Sequence, residues 1–349
     1  AHTDSPALKI KMEGASAAAG CVRVSTEVYG GAIVATWLDR PLSLAGRVMI
    51  RDGEAWTSRI VDLQRPIAVV PNLAVHLNRD INKGVEYNRQ TQLQAILCTA
   101  IGEEKHSNVL CAALAEACGT EPDAIGEADL FLYDPTPAVL VGTAGDFLNA
   151  PRIDNLAGCH AIAEAMVRLE PTSATCVAVL SDNEEVGSRT PQGADSSFPR
   201  DILQRVVVGT GGAGEDFFRA MAHSFMLSVD AAHAIHPSYA DKHDGAYAPV
   251  LNGGPVIKSA AACRYATTAE TAARFHTICT QAGIPFQRVI NRSDIPSGTT
   301  IGPITSAALG VPTLDIGHPL WAMHSIRETA GARDHGLMIT ALEAFLGQG

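Results

Sequence analysis

Two adjacent glutamates, Glu184 and Glu185, directly follow the apolar run CVAVL at 176–180, after Ser-Asp-Asn. This run has the composition of a buried β-strand, and open α/β sheets bind their ligands at the carboxyl ends of strands. Two carboxylates at such a position cost charge repulsion and desolvation, with no gain in packing. A bound cation would balance their charge, so the pair indicates a metal site.

Four further side chains have positions that suit the same site. Asp230 ends the predicted strand MLSVD, and His324 follows the predicted strand PTLDIG after a loop. Asp154 precedes a predicted helix, and His2 stands near the start of the sequence in the pattern H-x-D. Alone, an aspartate before a helix is typically a cap, and a lone histidine is usually structural or exposed. Only the combination with the glutamate pair indicates chemistry.

The combined set of two histidines, two aspartates and a glutamate pair is the inventory of a hydrolase with two metal ions. Such a centre needs a carboxylate that bridges the metals, flanking histidine and carboxylate ligands, and a base near the bridging water. One glutamate would bind a cation while its neighbour faced this water. Asp4 would accept the second ring N–H of His2, as is usual for a histidine ligand.

The segment HAIHPSYADKHD at 233–244 contains three more histidines, His233, His236 and His243. Pro237 ends any helix here, so the segment cannot present two histidines one helical turn apart as a preformed zinc site. We therefore interpret these histidines as residues that line a pocket rather than as primary metal ligands.

A competing motif, GTGGAG, occupies residues 209–214. It has the form G-x-G-x-x-G, and Asp230 lies at a strand end beyond it, which resembles a dinucleotide-binding fingerprint. This alternative would make the protein a nucleotide-dependent oxidoreductase. It leaves the glutamate pair and the histidines unexplained, and a flexible glycine-rich loop accounts for GTGGAG equally well.

The composition limits the class of protein. A chain of 349 residues exceeds what one hydrophobic core usually holds, so two domains are expected. The net charge of −11 argues against nucleic acid or an anionic membrane as the main partner. No run of about 18 apolar residues predicts a membrane span. The eight cysteines form no C-x-x-C pair and indicate buried free thiols in a reducing cytoplasm.

The element pattern changes near residue 145. Before it, short β-branched runs such as CVRVSTEVYG and GRVMI alternate with Gly, Pro and Asp, which indicates a strand-rich part. One segment there, TQLQAILCTAIGEE, has helical spacing instead. Beyond it, apolar strands, among them DILQRVVVG, alternate with helices, which predicts an α/β layer sandwich with a mostly parallel sheet.

Several longer motifs occur in an order that resembles the M18 aminopeptidases, the aspartyl aminopeptidase family. They are AHTDSPALKIK, APRIDNL, SDNEEVGS, SVDAAHAIHPSYADKH, GGPVIK, SGTTIGP and AMHSIRE, and they extend from residue 2 to near the C-terminus. The resemblance implies a three-layer αβα sandwich as the catalytic domain, formed by residues 1–10 and 146–349. Residues 11–145 would be an inserted, β-rich dimerisation domain.

The resemblance also implies the metal ligands. His2, Asp154 and Asp230 would bind one divalent ion, and Asp154, Glu185 and His324 would bind the other, with Asp154 as the bridge. Zinc is the expected metal, while cobalt and manganese also suit histidine and carboxylate ligands.

Glu184 would be the general base, which takes a proton from the metal-bound water. The free α-amino group of a peptide would bind the metal–carboxylate cluster, which makes the enzyme an exopeptidase. A deacylase of N-acyl amino acids shares this metal inventory and is an enzymatic alternative. A non-catalytic assembly protein would be expected to have lost a ligand, and none of these positions is changed.

The family prefers N-terminal Asp or Glu, and Lys258 in GGPVIK matches the lysine expected to meet the acidic side chain. Without the resemblance, Lys258 would be taken for a solvated lysine on a strand. His233 and His236 match pocket residues of the family. Ser297, Gly298 and Thr299 match a segment that contacts the substrate backbone.

The resemblance further implies an oligomer, a dimer-based tetrahedral dodecamer whose chamber admits peptides. His76 would reach the active site of the neighbouring subunit. The family has a segment before its H-T-D motif, so we expect the sequence to begin inside a longer chain. Together these inferences predict a cytoplasmic metalloaminopeptidase that acts on peptides with a free N-terminus.

Overall fold

The computed structural model describes residues 1–100 and 109–348. The chain divides into two compact units, and the second is inserted into the first. The first unit contains Ala1–Ser5, Ala138–Met323 and Glu328–Gly349, and the second contains Pro6–Pro137 and His324–Arg327.

The second unit is built on a six-stranded sheet in which all strand pairs are antiparallel. Apolar residues alternate along its strands, so that Val22 and Val24 of the second strand are fully buried. A tight turn at Gly53 joins the third and fourth strands. The elements are β1 (Ala7–Ala18), β2 (Cys21–Tyr29), β3 (Ser43–Asp52), β4 (Ala55–Asp62), β5 (Ala95–Thr99), α1 (Val109–Cys118) and β6 (Ile125–Tyr133). The strands lie in the order β4-β3-β6-β1-β2-β5 across the sheet.

The first unit alternates strands and helices, which confirms the α/β class. Its elements up to residue 258 are β7 (Val139–Val141), β8 (Phe147–Ala150), α2 (Ile153–Val167), α3 (Phe198–Gly209), α4 (Gly214–His223), β9 (Met226–Val229), β10 (Ala232–His233) and β11 (Val256–Lys258). The remaining elements are α5 (Ala269–Ala282), β12 (Gln287–Val289), α6 (Ile301–Leu309), β13 (Thr313–Gly317), β14 (Pro319–Trp321), β15 (Glu328–Gly331) and α7 (Asp334–Leu346).

Two sheets organise this unit. The four-stranded sheet has the order β12-β11-β13-β9, and only its β11–β13 pair is antiparallel. The five-stranded sheet has the order β10-β14-β15-β8-β7. All residues of β13 are buried, so both faces of the first sheet are covered. Helices α2, α5 and α7 pack on the face that carries Leu314 and Ile316. Gly302 of α6 approaches Asp315, which points the other way.

Three predictions of local structure were wrong. Residues 176–180 form no strand, because they have no regular pairing with another strand. A single bridge joins the following Ser181 to His2. DILQRVVVG lies in α3, where Leu203 and Val207 pack one turn apart against α4. TQLQAILCTAIGEE contains strand β5, since pairing with β2 overrides its helical spacing. The end of that segment lies outside the described residues.

The structure also argues against the oxidoreductase alternative. A dinucleotide-binding fingerprint follows a strand and opens a helix. Here GTGGAG follows α3 and precedes α4, so it links two helices. Within residues 1–100 and 109–348, none of the helices has the length and apolar character that crossing a membrane requires.

Candidate metal centre

His2 is the centre of the acidic cluster and is almost completely buried, with 1% of its surface exposed. Its Nε2 lies 3.5 Å from Asp154 Oδ1 and 3.6 Å from Asp230 Oδ1. On the other side, Nδ1 lies 3.0 Å from the backbone carbonyl oxygen of Asp4. A carbonyl oxygen only accepts, so Nδ1 carries a proton and donates it there. Nε2 therefore faces the two carboxylates.

Burial acts to lower the pKa of His2, but hydrogen bonds to Asp154, Asp230 and Asp4 outweigh it and raise the pKa well above its usual range. A proton on Nε2 thus balances the surrounding negative charge. A cation between His2, Asp154 and Asp230 would take the place of this proton, and their ligand atoms lie within 4.8 Å of one another. The donor set therefore fits a divalent metal that prefers histidine and carboxylate ligands.

Asp154 is held through its backbone at the start of α2, where the peptide bond to Asn155 is cis. Its N–H donates to Glu328 Oε2 at 2.9 Å, and its carbonyl oxygen accepts the Ser5 hydroxyl at 2.7 Å. Asn155 donates its side-chain amide to the Val229 carbonyl at 2.8 Å. The Asp154 carboxylate is not used in these contacts and lies in the cluster, with Oδ1 3.5 Å from His2 Nε2.

Asp230 follows β9, and its N–H donates to the Ile316 carbonyl of the adjacent strand β13. Asp230 thus lies at the carboxyl end of a sheet strand, as the sequence pattern predicts. Burial acts to raise its pKa, but the charges of Lys258 and His2 outweigh burial and hold the pKa below its usual range. Asp230 is therefore ionised and able to act as a ligand.

The glutamate pair lies in a short 3₁₀ turn at Glu184–Val186. The carboxylate of Asp4 accepts the N–H of Glu184 at 3.0 Å and the N–H of Glu185 at 3.0 Å. Asp4 thus orients the turn, and its Oδ1 also lies 3.4 Å from His2 Nδ1. The ligand atoms of His2, Glu184 and Glu185 lie within 4.8 Å of one another.

Both glutamates have raised pKa values. Burial, followed by the charges of Asp230 and other carboxylates, raises the pKa of Glu184 to about 7. Burial, followed by the charges of Asp154 and Glu184, raises the pKa of Glu185 to about 9. Excess negative charge is therefore concentrated here, and a cation would relieve it.

Lys258 ends β11 and is buried, with 3% of its surface exposed. Its ammonium group donates to Asp230 Oδ2 at 3.2 Å and to the Ala231 carbonyl at 2.9 Å. The ring of Tyr265 lies 5.2 Å away. Lys258 is therefore not the solvated strand lysine that the sequence suggests without the resemblance. It contacts a candidate metal ligand, Asp230.

The other predicted pocket residues of this unit are more exposed. His233 is exposed in β10, and His236 is half-buried, with its ring 4.9 Å from that of Tyr239. Ser297 is half-buried, while Gly298 and Thr299 are exposed in the loop before α6. The hydrogen bonds described for His236 join it to His243 and Ser238 rather than to the acidic cluster.

Two predicted residues belong to the second unit. His324 has a left-handed backbone with φ of 69°, and its Nδ1 lies 3.2 Å from the Gly31 carbonyl oxygen. A carbonyl oxygen only accepts, so Nδ1 is the donor in this contact and Nε2 is the ring nitrogen that could bind a metal. His76 lies in an exposed turn.

Sequence reasoning missed the backbone partners of the ligands. Glu328 and Ser5 hold the two sides of Asp154, and Asp4 holds the glutamate turn. A signal was present, since Glu328 is an acidic residue inside the motif AMHSIRE, but its burial of 98% depends on the tertiary fold. A buried carboxylate requires a partner, and the sequence does not reveal which one.

Comparisons with known proteins place the chain in a family. The model of the family described as "Aminopeptidase I zinc metalloprotease (M18)" matches residues 1–346. A protein of Pseudomonas entomophila named "Probable M18 family aminopeptidase 2" is 45% identical over 99% of this chain and 80% of its own length. A protein of the same name from Clostridium acetobutylicum is 42% identical over the same shares.

Solved structures agree on the fold. A chain from the cryo-electron microscopy structure of the Ape4 and Nbr1 complex has a TM-score of 0.94 at 34% identity, covering 99% of this chain and 70% of its own. An M18 aminopeptidase from Thermotoga maritima has a TM-score of 0.88 at 23% identity, covering 100% of this chain and 80% of its own. The second likeness shows the fold alone. The chain belongs to the M18 family of zinc metallopeptidases and is a metal-dependent aminopeptidase.

Proposed function

We propose that this protein holds two divalent metal ions, expected to be zinc, and removes N-terminal residues from peptides, with a preference for Asp and Glu. The observation that carries the proposal is the convergence of His2, Asp154, Asp230, Glu184 and Glu185 on one buried, acidic cluster. His2 with Asp154 and Asp230 would hold one ion. Asp154 and Glu185, together with His324 as the resemblance implies, would hold the other.

Bound metal ions would supply electrophilic polarisation of the scissile carbonyl and would make water a stronger nucleophile near neutral pH. The residues around them have separate tasks. Asp154 would be shared by both ions, and its backbone contacts to Glu328 and Ser5 keep its carboxylate in place. Asp4 keeps the glutamate turn in register with His2.

Glu184 would act as the general base. It would accept a proton from the attacking water and later donate it to the leaving amine. Its backbone N–H is fixed by Asp4, so the carboxylate approaches the cluster from a defined turn. The same acidic cluster would attract the free α-amino group of a peptide, which supports exopeptidase action.

The preference for acidic residues rests on Lys258. An ammonium group has three N–H donors, and Lys258 uses two of them on Asp230 and the Ala231 carbonyl. The third could meet the carboxylate of an N-terminal Asp or Glu. A buried ammonium favours a carboxylate over an uncharged side chain, since only the carboxylate pairs with its charge.

The remaining pocket roles follow the resemblance. His233 and His236 would line the substrate pocket, and Ser297, Gly298 and Thr299 would contact the peptide backbone. Their exposure in loops and at the end of a short strand is consistent with contact to a ligand.

A homo-oligomer is part of the proposal. A structure titled as the S. cerevisiae mApe1 dodecamer has a TM-score of 0.82 with this chain at 24% identity, covering 99% of this chain and 77% of its own. We infer a dimer-based tetrahedral dodecamer, in which residues of the second unit form the dimer contact and His76 reaches the neighbouring active site. The exposed Leu73, Val75 and Leu77 beside His76 support burial of this turn in an assembly. Its expected location is the cytoplasm.

The proposal is tested by hydrolysis of Asp-, Glu-, Leu- and Lys-aminoacyl chromogenic substrates. Activity is measured before and after a chelator strips the metal, and again after zinc, cobalt or manganese is restored. Metal-dependent release that favours Asp or Glu supports the proposal. Metal-dependent release of neutral residues contradicts the role of Lys258, and activity confined to N-acyl amino acids would identify a deacylase.

A further inference from the structure

Glu328 and Asp154 are brought together by the pairing of two strands. In the five-stranded sheet, β15 pairs with β8 so that Glu328 lies opposite Ala150. The chain leaves β8 at Ala150 and turns through Arg152, whose φ of 58° is left-handed. This turn returns the N–H of Asp154 to the side chain of Glu328, at 2.9 Å from Oε2.

Glu328 is deeply buried, with 2% of its surface exposed. Burial of a carboxylate beside an acidic cluster is costly, and a neutral acceptor could satisfy a backbone N–H with less desolvation. The burial of Glu328 must therefore be offset by its contacts, and the contact to Asp154 needs an acceptor oxygen at the end of a side chain of this length.

Three contacts from separate parts of the first unit fix the backbone around Asp154. Glu328 from β15 accepts its N–H, and Ser5 from the N-terminal segment donates to its carbonyl oxygen. Asn155 donates to the Val229 carbonyl, the residue directly before Asp230. The carboxylate of Asp154 takes no part in these contacts. The spacing between Asp154 and Asp230 thus depends on the backbone rather than on their side chains.

We propose that Glu328 is a positioning residue that acts through Asp154 and sets the affinity of the metal centre. The inference rests on the proposed role of Asp154 as a ligand. Glu328 holds the peptide plane from which the Asp154 carboxylate projects, so losing this contact lets the carboxylate move away from His2 and Asp230. Residues that orient a ligand typically change metal affinity or activity about 10–100-fold when they are replaced.

Two conservative variants separate the contact from the charge. Glu328→Asp keeps the negative charge, but its side chain is shorter by one methylene group and cannot reach the Asp154 N–H. Glu328→Gln keeps the length and an amide oxygen that can accept the N–H, but it loses the charge. Asp334→Asn is the matched control, because Asp334 is also a buried carboxylate that accepts backbone N–H groups, those of Asn252 and Gly254.

The full chain is stripped of metal and titrated with cobalt(II), whose visible absorption reports both affinity and ligand geometry. We expect Glu328→Asp to raise the dissociation constant about 10–100-fold and to alter the spectrum, whereas Glu328→Gln stays within about threefold of wild type. Asp334→Asn should lower the unfolding midpoint and keep the wild-type cobalt affinity and spectrum.

The inference is overturned if Glu328→Asp binds cobalt like wild type, or if Glu328→Gln loses as much affinity as Glu328→Asp. The first result would show that the contact does not matter, and the second would show that only the charge does. Should Glu328→Asp fail to fold, Glu328→Ser, whose hydroxyl is also too short to reach the Asp154 N–H, takes its place, and wild-type affinity in that variant overturns the inference. Failure of the proposed function looks different, because the wild-type chain would then bind no cobalt.

Discussion

The ammonium group of Lys258 lies 3.2 Å from Asp230 Oδ2, and both residues are buried. Burial acts to lower the pKa of Lys258, but the charge of Asp230 outweighs it and raises the pKa. This pair links the candidate metal centre to the candidate specificity pocket, so a change at Lys258 can act on the metal ligand, on the substrate or on both.

Substrate ratios separate the two effects of Lys258. We expect Lys258→Met to lower kcat/KM for an N-terminal Asp substrate about 10–100-fold more than for a Leu substrate, since a hydrogen bond to a charged group contributes about 1.5–3 kcal/mol. The measurement is steady-state kinetics with both substrates. Lys242→Met, which changes an exposed lysine, is the control. Equal losses on both substrates would mean that Lys258 acts only through Asp230.

Replacing the proposed base should separate catalysis from metal binding. We expect Glu184→Gln to retain its metal content and to lower kcat about 10²–10⁴-fold, the usual contribution of general acid–base catalysis. Metal content is measured by elemental analysis alongside kcat. The exposed Glu215→Gln is the control. Wild-type turnover in Glu184→Gln would assign the base to another group.

The two hydrogen bonds that Asp4 accepts should matter for geometry. We expect Asp4→Ala to lower kcat about 10–100-fold, because the turn that carries Glu184 and Glu185 loses both backbone contacts. Asp80→Ala, at an exposed site, should leave kcat unchanged. If Asp4→Ala keeps the wild-type kcat, the turn is held by other contacts.

A second histidine system should affect stability in acid. His318 is buried, and its Nε2 lies 3.3 Å from Nδ1 of His335. Burial, followed by repulsion from His335, lowers the pKa of His318 to about 3. The unfolded chain, with a pKa near 6.5, therefore binds one proton more than the native chain between about pH 3 and 6.5. The contribution of His318 to the free energy of unfolding is therefore fully present above about pH 6.5 and is lost as the pH falls toward 3.

Urea unfolding at pH 6.5 and pH 5 measures this contribution. One proton corresponds to about 1.4 kcal/mol per pH unit, so about 2 kcal/mol of the wild-type loss should be absent in His318→Gln. The exposed His223→Gln should lose as much as wild type. If His318→Gln loses as much free energy of unfolding between pH 6.5 and pH 5 as wild type does, His318 is already protonated in the native protein at pH 5.

The sequence predicted the members of the cluster better than the elements around them. Glu184, Asp154 and Asp230 have residue types that are costly to bury together without a cation, so their combination is visible in the sequence. The supposed strand before Glu184 is absent, because a strand requires a partner and residues 176–180 have none of the regular pairing that defines one. Composition indicates that a segment is apolar but does not supply its neighbours.

The contacts to backbone groups were beyond prediction for a related reason. Glu328 meets Asp154 only because β15 pairs with β8 in one register. A shift of that register by one residue would turn Glu328 to the other face of the sheet. Such roles arise from long-range pairing, which neither spacing nor composition encodes.

The cluster draws its parts from distant stretches of the polypeptide, from His2 to Asp230, with the supporting Glu328 later still. During synthesis the N-terminal part emerges from the ribosome first and must wait for the rest. His2 cannot meet Asp230 until Asp230 has been translated, and Asp154 cannot meet Glu328 until Glu328 has been translated. A nascent polypeptide that ends before Glu328 therefore lacks the contact that holds the Asp154 backbone, even when His2, Asp154 and Asp230 are all present.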